Sequence, residues 1–143
     1  MATRRIFILS LAACAVTAPL GAYRVSAATQ PTVEIIALPH YPVQNALKAA
    51  HDFLATLGAS VKVVEIDPES APGEKRIKAV GLKGHVPILL LVNGSYRFKR
   101  ADGTVVEFKD FPAAVGNPLG LNGSWTIADF ESAVKAALGK PEK

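Results

Sequence analysis

Few side chains in this chain could do chemistry, and two of them are adjacent. His40 and Tyr41 stand between an apolar run and an amphipathic one, at the predicted start of a helix. Free backbone N–H groups and the helix dipole at such a start favour an anion or a peptide carbonyl. His40 and Tyr41 are therefore candidate binding residues. The alternative is that both only fill space at the turn.

Histidine side chains could also ligate copper or zinc. The chain has three histidines, and His40 and His85 are the two that a fold could bring to one site. Two ligands leave a metal site incomplete, and the only methionine and the only cysteine lie close to the N-terminus. We therefore expect no cofactor, and a His-based copper or zinc carrier stays an alternative function. The third histidine, His51, falls within the predicted helix and is expected at the surface.

The single cysteine, Cys14, lies in an N-terminal segment that has the layout of an export signal. Basic residues precede an apolar stretch, and Val25-Ser26-Ala27 is typical of a signal-peptidase site. We therefore predict a signal peptide over residues 1–27 and a periplasmic or secreted protein of a bacterial envelope. Thr3-Arg4-Arg5 suits either twin-arginine or Sec export. The lipobox-like Leu11-Ala12-Ala13-Cys14 leaves a lipid-anchored protein as the alternative.

Cleavage after Ala27 would leave an almost neutral chain. The full sequence has 16 basic and 12 acidic residues, of which only Arg4, Arg5 and Arg24 fall in the predicted signal. No basic stripe interleaved with aromatic residues remains, so we expect no nucleic-acid partner. We also expect no transmembrane span in the mature protein, since the apolar run of the signal is short for a membrane helix. Residues 28–143 suffice for one domain.

Apolar patterning predicts alternating strands and helices over residues 28–143. Two of the predicted strands are joined by the turn at Ala101-Asp102-Gly103 and should form a hairpin. Tyr96 and Phe98 should share one face of the first of these strands, and Val106 and Phe108 one face of the second. The order indicates an α/β fold with a mixed central sheet flanked by helices. The predicted strands cover residues 33–38, 61–66, 86–92, 96–100 and 104–108, and the predicted helices cover residues 43–57, 73–80 and 127–138.

This order resembles the thioredoxin and glutaredoxin family over residues 33–138. Residues 33–48 look like the first strand, active-site turn and amphipathic helix of a glutaredoxin, with Pro42 at the position of the motif proline. Residues 80–94 look like the family's approach to its cis-proline strand, because a glycine-rich stretch, Val86-Pro87, an aliphatic run and an Asn-Gly turn follow one another. The resemblance implies a thioredoxin-like three-layer fold, with Pro87 in cis and facing the turn.

The same resemblance implies binding without redox chemistry. Tyr41 and Gln44 stand where the family has its two cysteines, and disulfide exchange requires a thiolate. In the family, the backbone of the residue before the cis-proline pairs with an extended peptide, a contact that needs no thiol. No Gly-x-Ser-x-Gly elbow, phosphate loop or paired-carboxylate motif supports an enzyme. An enzyme with non-thiol chemistry is therefore the second alternative function, after the metal carrier. We predict a non-enzymatic module that binds an extended peptide or protein through His40, Tyr41, Gln44, His85, Val86 and Pro87.

We expect the chain from residue 28 onwards to show no thiol–disulfide oxidoreductase activity, because it contains no cysteine. Turbidimetric insulin reduction with dithiothreitol measures this directly, with a thioredoxin as the positive control. Reduction faster than the dithiothreitol background would contradict the prediction.

Overall fold

Three strands build a mixed sheet in which the middle strand pairs in two directions. In the computed structural model, which describes residues 29–113 and 120–139, the strands are β1 (Thr32–Ala37), β2 (Lys62–Ile66) and β3 (Ile88–Val92). Strand β1 lies in the middle, parallel to β2 and antiparallel to β3. All five side chains of β3 are buried, as expected for its unbroken apolar run. The predicted signal peptide and Cys14 lie outside the described residues.

Three helices cover both faces of this sheet, so the predicted α/β class with a mixed sheet is confirmed. They are α1 (Tyr41–Leu57), α2 (Ala71–Ala79) and α3 (Ile127–Ala137), each close to its predicted bounds. Helices α1 and α3 pack in one apolar cluster with alternate residues of β1 and β3. Helix α2 packs through Ile77 on the opposite face. No helix among the described residues is long and apolar enough to cross a membrane.

The predicted hairpin is confirmed as β4 (Arg97–Lys99) paired antiparallel with β5 (Val105–Glu107). The prediction that Tyr96 and Phe98 share a face is wrong, because Tyr96 joins the cluster under α2 whereas Phe98 stacks on Phe108. Tyr96 lies before β4, beside the turn that follows β3, where strict strand alternation does not apply. Val106 and Phe108 do belong to one cluster.

After β5 the chain returns to β3, and residues 108–110 pair with it as a short fourth row of the sheet. The N–H of Leu90 donates to the carbonyl of Phe108 at 2.9 Å, and the N–H of Asp110 donates to the carbonyl of Ile88 at 2.9 Å. Phe108 also makes edge-to-face contacts with Trp125 and Phe130. The hairpin aromatics therefore pack partly on the domain's own last helix. Most of the glycine- and proline-rich stretch beyond it, residues 114–119, lies outside the described residues.

Helix α3 is held to the hairpin by an ion pair at its first turn. Arg100 donates two hydrogen bonds of 2.7 Å to the two oxygens of Asp129. The same turn holds a capping box, because Asp129 also accepts from the N–H of Thr126 while the Thr126 hydroxyl accepts from the N–H of Asp129. The hydrogen bond from Arg100 outweighs burial and lowers the pKa of Asp129 to about 2.

This lowered pKa predicts a loss of stability in acid. The pKa is below the usual value of 3.8, so the stabilisation is complete above about pH 5 and is lost as the pH falls through 4 towards 2. The Asp129→Asn variant should be less stable than the parent by about 2 kcal/mol at pH 5. The difference in the free energy of urea unfolding should nearly vanish at about pH 2.

The exposed i,i+4 pair of Lys48 and Asp52 provides the control. Asp52→Asn should change the unfolding free energy little at either pH, because exposed ion pairs contribute about 0–1 kcal/mol. A difference between parent and Asp129→Asn that stays constant from pH 5 to pH 2 would show that the carboxylate is not stabilised as described.

Candidate functional site

The predicted site residues cluster around the point where β1 ends and β3 begins. The N–H of Leu38 donates to the carbonyl of Pro87 at 3.1 Å, which brings the start of α1 beside the start of β3. His40 is the N-cap of α1, and its side chain makes no capping hydrogen bond. Tyr41 follows with 80% of its surface exposed. The structure thus places His40, Tyr41 and Pro87 at one end of the sheet.

Gln44 has a structural contact at this end. Its side-chain amide donates to the carbonyl of Leu38 at 3.0 Å, and its backbone N–H donates to the carbonyl of His40 at 3.0 Å. The first bond satisfies a carbonyl that the end of β1 leaves unpaired. Gln44 therefore closes the turn between β1 and α1, a role that the prediction of a binding residue did not include.

The prediction of a cis Pro87 is wrong, since no peptide bond among the described residues is cis. Strand β3 also begins at Ile88, later than predicted. Pro87 has no N–H to donate to a ladder, and its carbonyl is already paired with Leu38. Val86 and Pro87 are both buried, and Val86 packs under α2.

The backbone groups of Val86 have no partner among the described residues. Along β3, Pro87 and Asn93 bond to the β1 side, whereas Ile88 and Leu90 bond to the fourth row. Successive residues of a strand bond to opposite neighbours, but Val86 lies outside β3, before a bend at Pro87. No hydrogen bond from another described residue reaches its N–H or its C=O.

The fourth row ends before Val86 because the chain turns away at Asp110. Asp110 has a φ of +62°, the left-handed region that few non-glycine residues adopt. Beyond it, Phe111 donates to the carbonyl of Leu121 at 2.9 Å and accepts from Gly123 at 2.7 Å. The segment that would have paired with Val86 pairs with residues 121–123 instead. Sequence patterning predicted no strand or helix between residues 108 and 127 and did not single out Asp110.

His85 and Val86 line a cleft between α2 and the loop that precedes β3. The cleft has a volume of about 380 Å³, and Ile77 and Leu82 contribute apolar surface. Lys83 and His85 are exposed at its margin. His40 is not among the lining residues. Within residues 29–113 and 120–139 no group of three or more His, Cys, Asp or Glu side chains could hold a metal ion.

The prediction that His51 lies at the surface holds only in part. Its side chain is 32% exposed and sits between α1 and the edge strand β2, with Nδ1 3.8 Å from an oxygen of Glu65. Its Nε2 is buried and has no hydrogen-bond partner. A buried polar atom without a partner is a cost to stability. The 3,4 spacing of the apolar residues on α1 could not reveal this, because the edge strand covers only part of the helix.

Replacing His51 with Leu should stabilise the protein by about 1 kcal/mol, since an apolar side chain of similar size removes the unpaired nitrogen. The contact to Glu65 contributes little because Glu65 is 65% exposed. Thermal unfolding should show a higher Tm for His51→Leu and an almost unchanged Tm for His40→Leu, the matched change at an exposed histidine. A lower Tm for His51→Leu would mean that Nε2 has a stabilising partner, such as a bound water.

No protein-family model, no curated protein and no solved structure gives a significant match to this chain. The resemblance to thioredoxins and glutaredoxins therefore rests on the residues and the element order of this chain alone.

Proposed function

We propose that this protein is a redox-inactive binding module of the bacterial envelope that recognises an extended peptide or protein segment. The binding face is the end of the sheet where Tyr41 meets Val86 and Pro87. The observation that carries the proposal is the backbone of Val86, whose N–H and C=O bond to no other described residue and which lies two residues before the end of the ladder at Ile88. An extended segment can add to such a position as a strand and supply both missing hydrogen bonds.

The surroundings of Val86 suit a peptide better than a small polar ligand. Tyr41 is 80% exposed at the start of α1, and exposed tyrosines are frequent anchors in binding surfaces. The cleft beneath Ile77 and Leu82 is large enough for an apolar side chain of the bound segment. Backbone pairing then supplies affinity for any extended chain, and the tyrosine and the cleft supply selectivity.

The fold class that best fits this arrangement is thioredoxin-like. In support, β1, α1, β2, α2 and β3 follow one another in the family's order, with β2 parallel and β3 antiparallel to β1. Helices α1 and α3 share one face and α2 takes the other. The trans bond before Pro87 departs from the family's pattern, so the family's peptide geometry at that proline is not transferred to this chain.

The proposed location in the envelope rests on the sequence of residues 1–27, whose basic, apolar and small-residue regions follow the order of an export signal. An extracytoplasmic site makes exported or partly unfolded protein segments accessible as partners. The lipid-anchored form remains the alternative for the same compartment.

Tyr41→Ala should weaken binding of an extended peptide about tenfold, because truncating an exposed aromatic anchor typically costs more than 1 kcal/mol. The probes are peptides selected from a random display library on the purified protein, and fluorescence anisotropy gives their Kd. Val105→Ala is the matched control, because Val105 is also exposed, at 55%, but lies on β5. Its Kd should equal that of the parent.

A photo-crosslinking residue at position 41, used in intact cells, should capture a specific partner, and the same residue at position 105 should not. Failure to select any peptide, or equal Kd values for Tyr41→Ala and the parent, would contradict the proposed binding face.

A further inference from the structure

The backbone of Asp110 is held firmly, whereas its carboxylate has no hydrogen-bond or ion-pair partner among the described residues. Its N–H donates to Ile88, and its carbonyl accepts from the indole nitrogen of Trp125 at 3.3 Å. Within residues 29–113 and 120–139, its carboxylate takes part in no hydrogen bond or ion pair. The residue is half-buried, and burial raises its pKa above the usual value. A partly desolvated carboxylate without a partner is unfavourable.

The fold does not explain why an acidic residue occupies this position. Asp and Asn usually tolerate the left-handed region because their side chains bond locally to the backbone, and Asp110 makes no such bond. Glycine would adopt the observed φ of +62° with no steric cost. The backbone bonds to Ile88 and Trp125 would be available to a glycine as well, so the carboxylate adds nothing to them.

The neighbouring cation makes no ion pair with this carboxylate among the described residues. Lys109 is adjacent in sequence, but its ammonium group lies 3.0 Å from the carboxylate of Glu107. Glu107 is bonded on its other side by Arg97, also at 3.0 Å. Arg97 and Lys109 are thus bonded to Glu107. Lys109 attracts the Asp110 carboxylate without bonding to it, and this attraction is smaller than the effect of burial on the pKa of Asp110.

We propose that Asp110 selects a lysine or arginine side chain in the extended segment that adds to β3 at Val86. This inference rests on the proposed function. Asp110 is the residue paired with Ile88, the last position of the ladder before the opening, so a strand placed at Val86 passes beside it. A cationic side chain supplies the partner that the carboxylate lacks, and a charge-assisted hydrogen bond forms away from bulk water. The specificity is electrostatic and complements the sequence-independent pairing at Val86.

Two pools of short, fluorescently labelled peptides with blocked termini test the inference on the full-length protein. One pool carries lysine at its centre and the other carries norleucine, with randomised uncharged residues other than cysteine on both sides. The parent protein should bind the lysine pool about fivefold more tightly, and the preference should shrink at high ionic strength.

Two substitutions separate charge from conformation. Asp110→Asn keeps the shape and tolerates a positive φ, and Asp110→Gly removes the side chain and suits that φ. Both should bind the two pools equally, and Asp110→Gly should have a Tm equal to or a few degrees above that of the parent. Asp52→Asn makes the same charge change on an exposed face of α1 and should keep the preference for lysine.

The outcomes distinguish this inference from the proposed function. Equal binding of both pools by the parent, or an unchanged lysine preference in Asp110→Asn, overturns the role of Asp110 and leaves peptide binding at Val86 standing. Failure of the parent to bind either pool overturns both. An equal loss of lysine preference in Asp52→Asn would assign the effect to net charge and would also overturn it.

Discussion

The structure depends on the need to pair both backbone edges of strand β3. Its side chains are buried on both faces of the sheet, so its N–H and C=O groups cannot be satisfied by water and must bond to neighbouring chain segments. Strand β1 satisfies one edge, and the residues from Phe108 to Asp110 satisfy the other. The alternation of these bonds sets the direction of the backbone groups along β3, and the second edge has no further partner among the described residues beyond Ile88.

The helices are fixed against this sheet by two apolar clusters and two buried ion pairs. Glu34 of β1 is 14% exposed and accepts two hydrogen bonds of 2.6 Å from Arg76 of α2. Arg100 and Asp129 make the matching connection between the hairpin and α3. Pairs of this kind lose solvation when they form, so their main effect is to favour one arrangement of the elements. They hold α2 and α3 in place, whereas the start of α1 is joined to the end of β1 through Gln44.

Two prolines keep the edge of the sheet open at Val86. Pro87 has no N–H, and its carbonyl is used by Leu38. Pro112, which would come opposite Val86 if the fourth row continued, has no N–H either and could not donate to the Val86 carbonyl. Ala113, the next residue, donates instead to the carbonyl of Trp125 at 2.7 Å. Prolines at this position of an edge disfavour pairing with another copy of the chain.

The sequence by itself determined the elements. The apolar run of β3, the 3,4 spacing on α1, the Asn93-Gly94 turn and the capping box of Thr126 and Asp129 each depend on residues that are close in the chain, so local patterning predicted them. The resemblance to thioredoxins and glutaredoxins grouped His40, Tyr41 and Val86 as site residues. They lie at one end of the sheet because of the order of the strands.

Only the tertiary structure decided what these residues contact. The trans bond at Pro87, the half-burial of His51 against β2 and the partnerless carboxylate of Asp110 involve segments far apart in the chain. The same holds for Arg76 with Glu34 and for Arg100 with Asp129, which no short-range pattern signals. Hydrophobic periodicity records which face of an element is buried, but it carries no information on which polar group is brought opposite another when the elements pack.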